Sequence, residues 1–280
     1  MKKIGFIDYY LDEWHAKNYP TWLSEASNGN QIVAYAYGEI DAAKGISNTE
    51  WCKTNGVEKL NSIEEVVEKS DCIVVLSPDN PEQHEHLSRI PLMSGKRVYI
   101  DKTFSNTRVE AIKMFELADK YNTPMYSSSA LRFSKELESI NKENIDMINS
   151  RGPGTFSDYS IHQLEPIVAL MGTEVKRVMS IGTINSPALA IEFSDGRKAI
   201  MSHFGSECPF GLSINYKSGN ALIIDNCTDF FPHFIQNMAD FFETGDIKVT
   251  SKETIAIITL RECGYEALDK PGKWIEISHN

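Results

Sequence analysis

Through the first 126 residues, short apolar runs alternate with segments whose apolar positions recur at helical spacing. KIGFID, QIVAYAY, DCIVVLS and RVYIDK are nearly unbroken apolar stretches, and TPMYSSSA returns to the same character. Between them lie SIEEVVEKS, then HEHLSRIPLMSGK, helical until Pro91 interrupts it. SNTRVEAIKMFELADKYN follows, with Val109, Ile112, Phe115, Leu117 and Ala118 at helical spacing. Continuous apolar strands separated by helices predict a parallel sheet covered on both faces, with ligands at the carboxyl ends of its strands.

The pattern changes after about Ala130. RFSKELESINKENIDMINS reads as helical and RGPG as a turn. VKRVMSIG, PALAIEFS, KAIMSHFG, GLSINYKS and NALIID have strand character, with SDGR a hairpin signal between two of them. HFIQNMADFFETGD and KETIAIITLRECGYEALDK read as two amphipathic helices. The expectation is an α/β chain of two domains. Residues 1–126 form a Rossmann-type doubly wound parallel sheet, and residues 127–280 an α+β domain with a mostly antiparallel open sheet.

Composition narrows the partners. The chain has 280 residues, a formal net charge of -11 and 41% hydrophobic residues. An acidic balance argues against nucleic acid and anionic membranes, which select basic patches. No apolar run is long enough to span a bilayer, and the apolar stretch after MKK is too short for a signal peptide. Five cysteines, Cys52, Cys72, Cys208, Cys227 and Cys263, are far apart and odd in number. They predict free, mostly buried thiols in a reducing cytoplasm.

Two stretches hold candidate chemistry. In VYIDKTFS, Lys102 follows a buried strand, at the edge where active sites collect. A lysine there stabilises a developing alkoxide, and partial burial lowers its pKa; otherwise it is a surface lysine opening a loop. In FSDYSIHQLE, Asp158, His162 and Glu165 are spaced to share one helix face. Histidine is the usual proton acceptor in alcohol oxidation, and a neighbouring carboxylate fixes its tautomer. Ser160 and Gln163 also read as a capping box, which would make the stretch a helix start, and Pro166 disturbs either picture. Ser77 and Pro78 end the most apolar strand, at the same sheet edge as Lys102. His84 and His86 read as solvated polar residues, and His15, His203 and His233 as isolated. Trp14, Trp22 and Trp51 read as packing residues.

Five stretches together resemble the Gfo/Idh/MocA family, named for glucose–fructose oxidoreductase, inositol dehydrogenase and a rhizopine-catabolism protein. DCIVVLSP resembles its apolar strand ending in Thr-Pro. GKRVYIDKTFS resembles its Gly-Lys-His-Val…Glu-Lys-Pro segment, with Asp101, Lys102 and Thr103 at the last three places. SALRF, with Arg132 and Phe133, resembles the segment that opens the second domain. DYSIHQLEPIVALMG resembles the Asp-x-Gly-x-His-x-x-Asp motif, with Ser160 for Gly and Glu165 for Asp. FIQNMADFFETGD and the helix after it resemble the C-terminal pair.

The resemblance implies an NAD- or NADP-dependent oxidoreductase acting on a sugar, polyol or related small carbonyl compound. It implies His162 as proton acceptor, Lys102 on the substrate oxygen, and Glu165 and Asp158 as their companions. The cofactor would meet Asp8, Tyr9, Tyr10, Glu39, Ser77, Pro78, Asp101, Lys102 and Arg132. A homodimer or homotetramer is implied, with a small-molecule partner and no metal.

One departure stands out. The family's glycine-rich turn falls near Asp8, Tyr10 and Glu13, all changed. A carboxylate about 4 Å from a phosphate costs about 4 kcal/mol at an effective dielectric of 20. Asp8 and Glu13 therefore oppose a dinucleotide if they point inward and tolerate it if they point outward. Asp8, or Glu39 beyond the second strand, could instead accept ribose hydroxyls. The lost glycines also leave open a non-catalytic relative that binds a small ligand, and a cofactor-independent lyase or isomerase.

Overall fold

A computed structural model describes residues 1–278. The chain divides into two compact units, each with its own sheet. One comprises Met1–Ser128 together with Phe234–Ser251; the other comprises Ser129–His233 and the segment from Lys252 onward.

The first unit is built on β1 (Lys2–Asp8), β2 (Gln31–Gly38), β3 (Glu58–Lys59), β4 (Cys72–Val75), β5 (Arg97–Ile100) and β6 (Met125–Tyr126). All six run parallel in the order β3-β2-β1-β4-β5-β6. The order reverses between β1 and β4, which opens a crevice at their carboxyl ends. Ile4 through Asp8 and Cys72 through Val75 are buried at every position, as strands covered on both faces require. The helices are α1 (Trp14–Ala26), α2 (Asn48–Asn55), α3 (Ile63–Lys69), α4 (His84–Leu92) and α5 (Arg108–Lys120). Ser47, Ser62 and Thr107 cap α2, α3 and α5 by accepting N–H bonds from Glu50, Glu65 and Glu110. Gly5 lets α3 approach β1, since a Cβ there would meet Ser70 Oγ at 2.2 Å and Val66 Cγ1 at 2.4 Å.

Pro91 does not end α4; the helix continues through it to Leu92. In α5 the buried face is Ala111, Met114, Phe115 and Ala118, and Val109 is 59% exposed. Late in the chain, α7 (Phe230–Thr244) belongs to this unit from Phe234 onward. Its ring of Phe241 meets Tyr126 at 5.0 Å, and its Ala239 and Phe242 carbonyls accept from Gln31 Nε2 and Arg97 Nη1 at 2.8 and 2.6 Å.

The second unit holds β7 (Ile145–Pro153), α6 (Phe156–Met171), β8 (Val175–Ser180), β9 (Ala188–Phe193), β10 (Lys198–Phe204), β11 (Gly211–Tyr216), β12 (Ala221–Ile224), α8 (Ser251–Asp269) and β13 (Trp274–Glu276). The sheet runs β12-β11-β7-β10-β9-β8-β13 and is antiparallel except where β10 lies parallel to β7. SDGR is the turn of the β9–β10 hairpin, as expected. The helix expected over residues 132–150 is instead two short 3-10 turns, Ala130–Phe133 and Lys135–Leu137, followed by β7. RGPG is likewise mostly strand, since Arg151–Pro153 end β7. The central position of β7, bonded on both edges, overrides the local helical preference of its neighbours.

Among the described residues no helix is long and apolar enough to cross a membrane. The five cysteines are free, with Cys52, Cys72 and Cys227 buried. Gly5→Ala should lower stability by about 1–3 kcal/mol, because Val66 cannot retreat without disturbing α3. A urea midpoint equal to that of the parent protein would contradict the close approach.

Candidate active site

The register of the first unit brings three strand ends level. Leu76 N–H donates to Ile7 O at 2.8 Å, and Asp101 N–H to Val75 O at 2.9 Å. Asp8, Ser77 and Asp101 therefore stand in one row on the carboxyl edge, with Tyr9, Tyr10, Pro78 and Lys102 directly after them. Ser77 takes a positive φ of 80° and donates through Oγ to Asn80 O at 3.1 Å. Glu39 follows β2 beside Asp8, its N–H donating to Asp8 O at 3.1 Å. Its carboxylate meets His86 Nε2 at 2.8 Å.

Behind this row lies a cluster of buried acids. Glu13 is the N-cap of α1, and its carboxylate accepts the N–H of His15 at 2.6 Å and the N–H of Ala16. His15 Nδ1 meets Asp101 Oδ2, and the imidazole stacks on Tyr19 with centroids 4.9 Å apart. Asp101 Oδ1 accepts the N–H of Lys102 at 2.8 Å and the hydroxyl of Tyr99 at 3.0 Å. Burial works to raise the Asp101 carboxyl, but His15 and then Lys102 outweigh it and hold it below the usual range. Asp8 is 1% exposed, and its Oδ2 has no hydrogen-bond partner. Burial, then the charge of Glu13, pushes Asp8 well above the usual carboxylate range. Burial raises Glu13 to about 7, against the pull of His15 and the two N–H groups it accepts.

In the second unit, α6 begins at Phe156, with Thr155 as N-cap. The cap is Thr155 with Asp158, so the Ser160–Gln163 reading is corrected: both sit buried inside the helix. The helix runs through Pro166 without a break. Asp158 is exposed and accepts from Thr155 Oγ1 and Ser157 Oγ, each at 2.8 Å. His162 Nδ1 lies 2.6 Å from Ser129 Oγ, and the backbone N–H of Ser129 donates to Glu165 Oε1 at 3.0 Å. Glu165 is 3% exposed. Arg132 bridges it at 3.5 Å to Glu253 on α8 at 2.5 Å. Phe210 stands edge-on to the imidazole, with centroids 5.7 Å apart.

The expected site residues thus collect in two groups. Asp8, Tyr9, Tyr10, Glu39, Ser77, Pro78, Asp101 and Lys102 share one sheet edge. His162, Glu165 and Arg132 gather around Ser129. Asp158 instead serves the helix cap, and the group on His162 Nδ1 is a serine. Three readings of histidines change. His15 is not isolated but joined to Asp101, 86 residues away in the chain. His233 meets Glu138 at 3.1 Å. His84 is fully buried, with its ring nitrogens 3.1 and 2.7 Å from the carbonyls of Phe104 and Leu76. Trp51 is buried as expected, but Trp14 is 50% exposed. Ser129 carried no signal beyond its place at the head of SALRF. Glu13 entered only as a changed glycine position.

Solved structures share this architecture over their full lengths. A "probable dehydrogenase" from Thermotoga maritima matches with a TM-score of 0.81 at 15% identity, covering 98% of each chain. The chain shares that structure's fold. Scyllo-inositol dehydrogenase from Lactobacillus casei, solved with bound NAD(H) and scyllo-inositol, matches at 0.77 and 17% identity over 99% of each chain. Myo-inositol 2-dehydrogenase from Lactobacillus plantarum matches at 0.77 and 14% identity, again over 99% of each. No family model matches the chain, and no curated protein sequence does. The shared architecture, a parallel Rossmann-like sheet followed by a mostly antiparallel one, is the one that the motif resemblance implied.

The buried acids give the pH dependence of stability a definite sign. Glu13 holds its proton in the folded protein up to about pH 7, and an unfolded glutamate releases it near the ordinary value. The folded state therefore binds more protons across that window, and stability falls as pH rises through it. The loss from Glu13 alone should be on the order of 3 kcal/mol between about pH 4 and pH 8. Glu13→Gln should flatten that slope in urea titrations; an equally steep slope in the variant would refute the assignment.

Proposed function

We propose that the chain is an NAD(P)-dependent oxidoreductase of the Gfo/Idh/MocA type, acting on a polyol, a sugar or a related small carbonyl compound. One observation carries the reading: both units match, end to end, dehydrogenases that include one solved with NAD(H) and scyllo-inositol. The five family-like motifs, in family order, support it independently.

The residues fit a dinucleotide at two places and contest it at a third. Glu39, at the end of β2, is a carboxylate suited to ribose hydroxyls, and it favours NAD over NADP by repelling a 2′-phosphate. Lys102, after β5, supplies a cation at the sheet edge where the reacting end would lie. The contested place is the first turn of α1, where Glu13 already accepts the helix N–H groups. Bound, NAD(P) supplies the hydride acceptor.

In this reading His162 takes the hydroxyl proton on Nε2, while Nδ1–H donates to Ser129 Oγ. Ser129 thereby orients the ring, at the place where the sequence suggested a carboxylate. Glu165, its charge met by Arg132, holds Ser129 through the backbone N–H and so fixes the hydroxyl that orients the histidine. Lys102 stabilises the developing alkoxide. Asp158 acts on the start of α6. A small-molecule substrate, a cytoplasmic setting and a homodimer or homotetramer belong to the same reading. Exposed Ile181, Phe204 and Ile223 in the second unit support self-association.

The test is a screen of inositols and sugars with NAD and NADP, followed by nicotinamide absorbance. His162→Ala should lower kcat/KM by about 10²–10⁴-fold, the usual contribution of a positioned base. Turnover undiminished in that variant, or no nicotinamide reduction with any polyol or sugar, would overturn the assignment.

A further inference from the structure

The glycines of RGPG have a use beyond the strand they end. A Cβ on Gly152 would lie 2.7 and 2.8 Å from Cδ1 and Cε1 of Phe210. One on Gly154, whose φ is 72°, would lie 2.4 and 2.6 Å from Cδ2 and Cε2 of Tyr159. Two aromatic rings are thus laid on bare backbone at the end of β7, closer than any side chain there would permit. Both border the candidate base. The Tyr159 ring stands 5.8 Å from the His162 ring and the Phe210 ring 5.7 Å from it, centroid to centroid. The two are 6.3 Å from each other. Among the described residues these are their only ring contacts. Neither ring is sealed in the core: Tyr159 is 37% exposed, and Phe210 and His162 are half-buried.

The chain arrives at this arrangement by two routes. Tyr159 lies three residues before His162 on α6, so the two share a helix face. Phe210 comes from the segment that enters β11. The antiparallel register of β11 on β7 pairs Gly211 with Arg151, which sets Phe210 opposite Gly152. The Cys227 N–H holds the Phe210 carbonyl at 2.8 Å. Simple packing accounts for one ring on one glycine. It does not account for two rings from separate elements meeting at one half-buried histidine.

We propose that Phe210 and Tyr159 form an aromatic seat for the C–H face of a ring-shaped polyol or sugar, and so select ring substrates over open-chain ones at His162. The inference rests on the proposed oxidoreductase reading and narrows its substrate class. The face of an aromatic ring is partly negative and attracts the positive ends of C–H bonds. A six-membered ring polyol or pyranose with equatorial hydroxyls has C–H bonds on both faces and its hydroxyls around the rim. It lies flat on an aromatic seat and still offers a rim hydroxyl to the histidine beside it. An open-chain polyol turns its hydroxyls to all sides, and holding them away from the seat means freezing several torsions.

The experiment is saturation-transfer NMR on the full-length protein in heavy water, with and without NADH. Aromatic protons of the protein are irradiated and the C–H protons of the probe are read. The probes are an inositol with all hydroxyls equatorial, glucose, and open-chain sorbitol. The parent protein is compared with Phe210→Ala, Phe210→Leu, Tyr159→Ala and Tyr159→Phe, and nicotinamide absorbance gives kcat and KM for the same probes. In the parent protein the ring C–H protons should be saturated, and the ring probes should bind more tightly than sorbitol. Phe210→Ala and Phe210→Leu should weaken ring binding about tenfold, the size of one aromatic stacking contact, and leave sorbitol binding as it was. Tyr159→Ala should act in the same direction, while Tyr159→Phe keeps the ring and the parental preference. A displaced base would lower kcat for every substrate alike, so the ring-over-chain ratio separates a seat from a packing role. If the parent protein oxidises polyols or sugars but shows no ring preference, or the Phe210 and Tyr159→Ala variants keep its preference, the seat is overturned and the oxidoreductase reading survives. If ring probes bind, the variants lose the preference and no nicotinamide is reduced, the oxidoreductase reading falls and the seat stands. If no probe is bound or oxidised, both are overturned.

Discussion

Asp101 is ionised where the residue is only 1% exposed, and the arrangement of the first unit's carboxyl edge follows from what that charge needs. A buried carboxylate is tolerable only if donors surround it. Three come from different parts of the chain: His15 from the first turn of α1, Tyr99 from within β5, and the N–H of Lys102 from the residue that follows. Satisfying one charge thus fixes where α1 begins, how the Tyr99 ring sits between sheet and helix, and how the backbone turns at Lys102. The same charge biases its neighbours. Burial above all makes the remaining acids, Asp8 and Glu13, keep their protons more readily, and the charge of Asp101 adds a smaller push in the same direction. The edge therefore carries less negative charge at neutral pH than its residue types suggest.

The second unit solves a similar problem with a neutral residue. Ser129 serves the imidazole of His162 with its hydroxyl and the carboxylate of Glu165 with its backbone N–H. Because Glu165 is also bridged through Arg132 to Glu253 on α8, the imidazole's orientation is tied to an element distant in sequence. A histidine held in this way has a fixed ring orientation, which a proton acceptor requires.

Much of this was legible before any coordinates. The parallel sheet announces itself because strands buried on both faces, such as Ile4–Asp8 and Cys72–Val75, must be apolar almost throughout. The hairpin at SDGR and the helical pair at the end are local patterns and read correctly. The segment before β7 misleads because ELESINKEN is rich in helix-favouring charged residues, yet it leads directly into β7, whose own pairing with β10 and β11 begins at Ile145 and Met147. The contact of His15 with Asp101 spans most of the first unit's length, so no spacing rule reaches it. Ser129 escapes notice because a serine's chemistry lies in its neighbours. Glu13 was visible as a lost glycine, but that its carboxylate turns back onto its own helix depends on backbone geometry.

The threading of the chain has a consequence for its synthesis. The first unit ends its sheet at Tyr126, yet Phe241 and Phe242, which cover that ring and bind Arg97, are encoded beyond every strand of the second sheet except β13. At a ribosomal pace of about 5–20 residues per second, the interval is on the order of ten seconds. During that time the half-made unit stands with the aromatic ring of Tyr126 and the outer end of β5 uncovered. The second sheet must emerge and assemble while the first unit is still unfinished. The order in which the ribosome delivers these residues differs from the order in which the fold needs them.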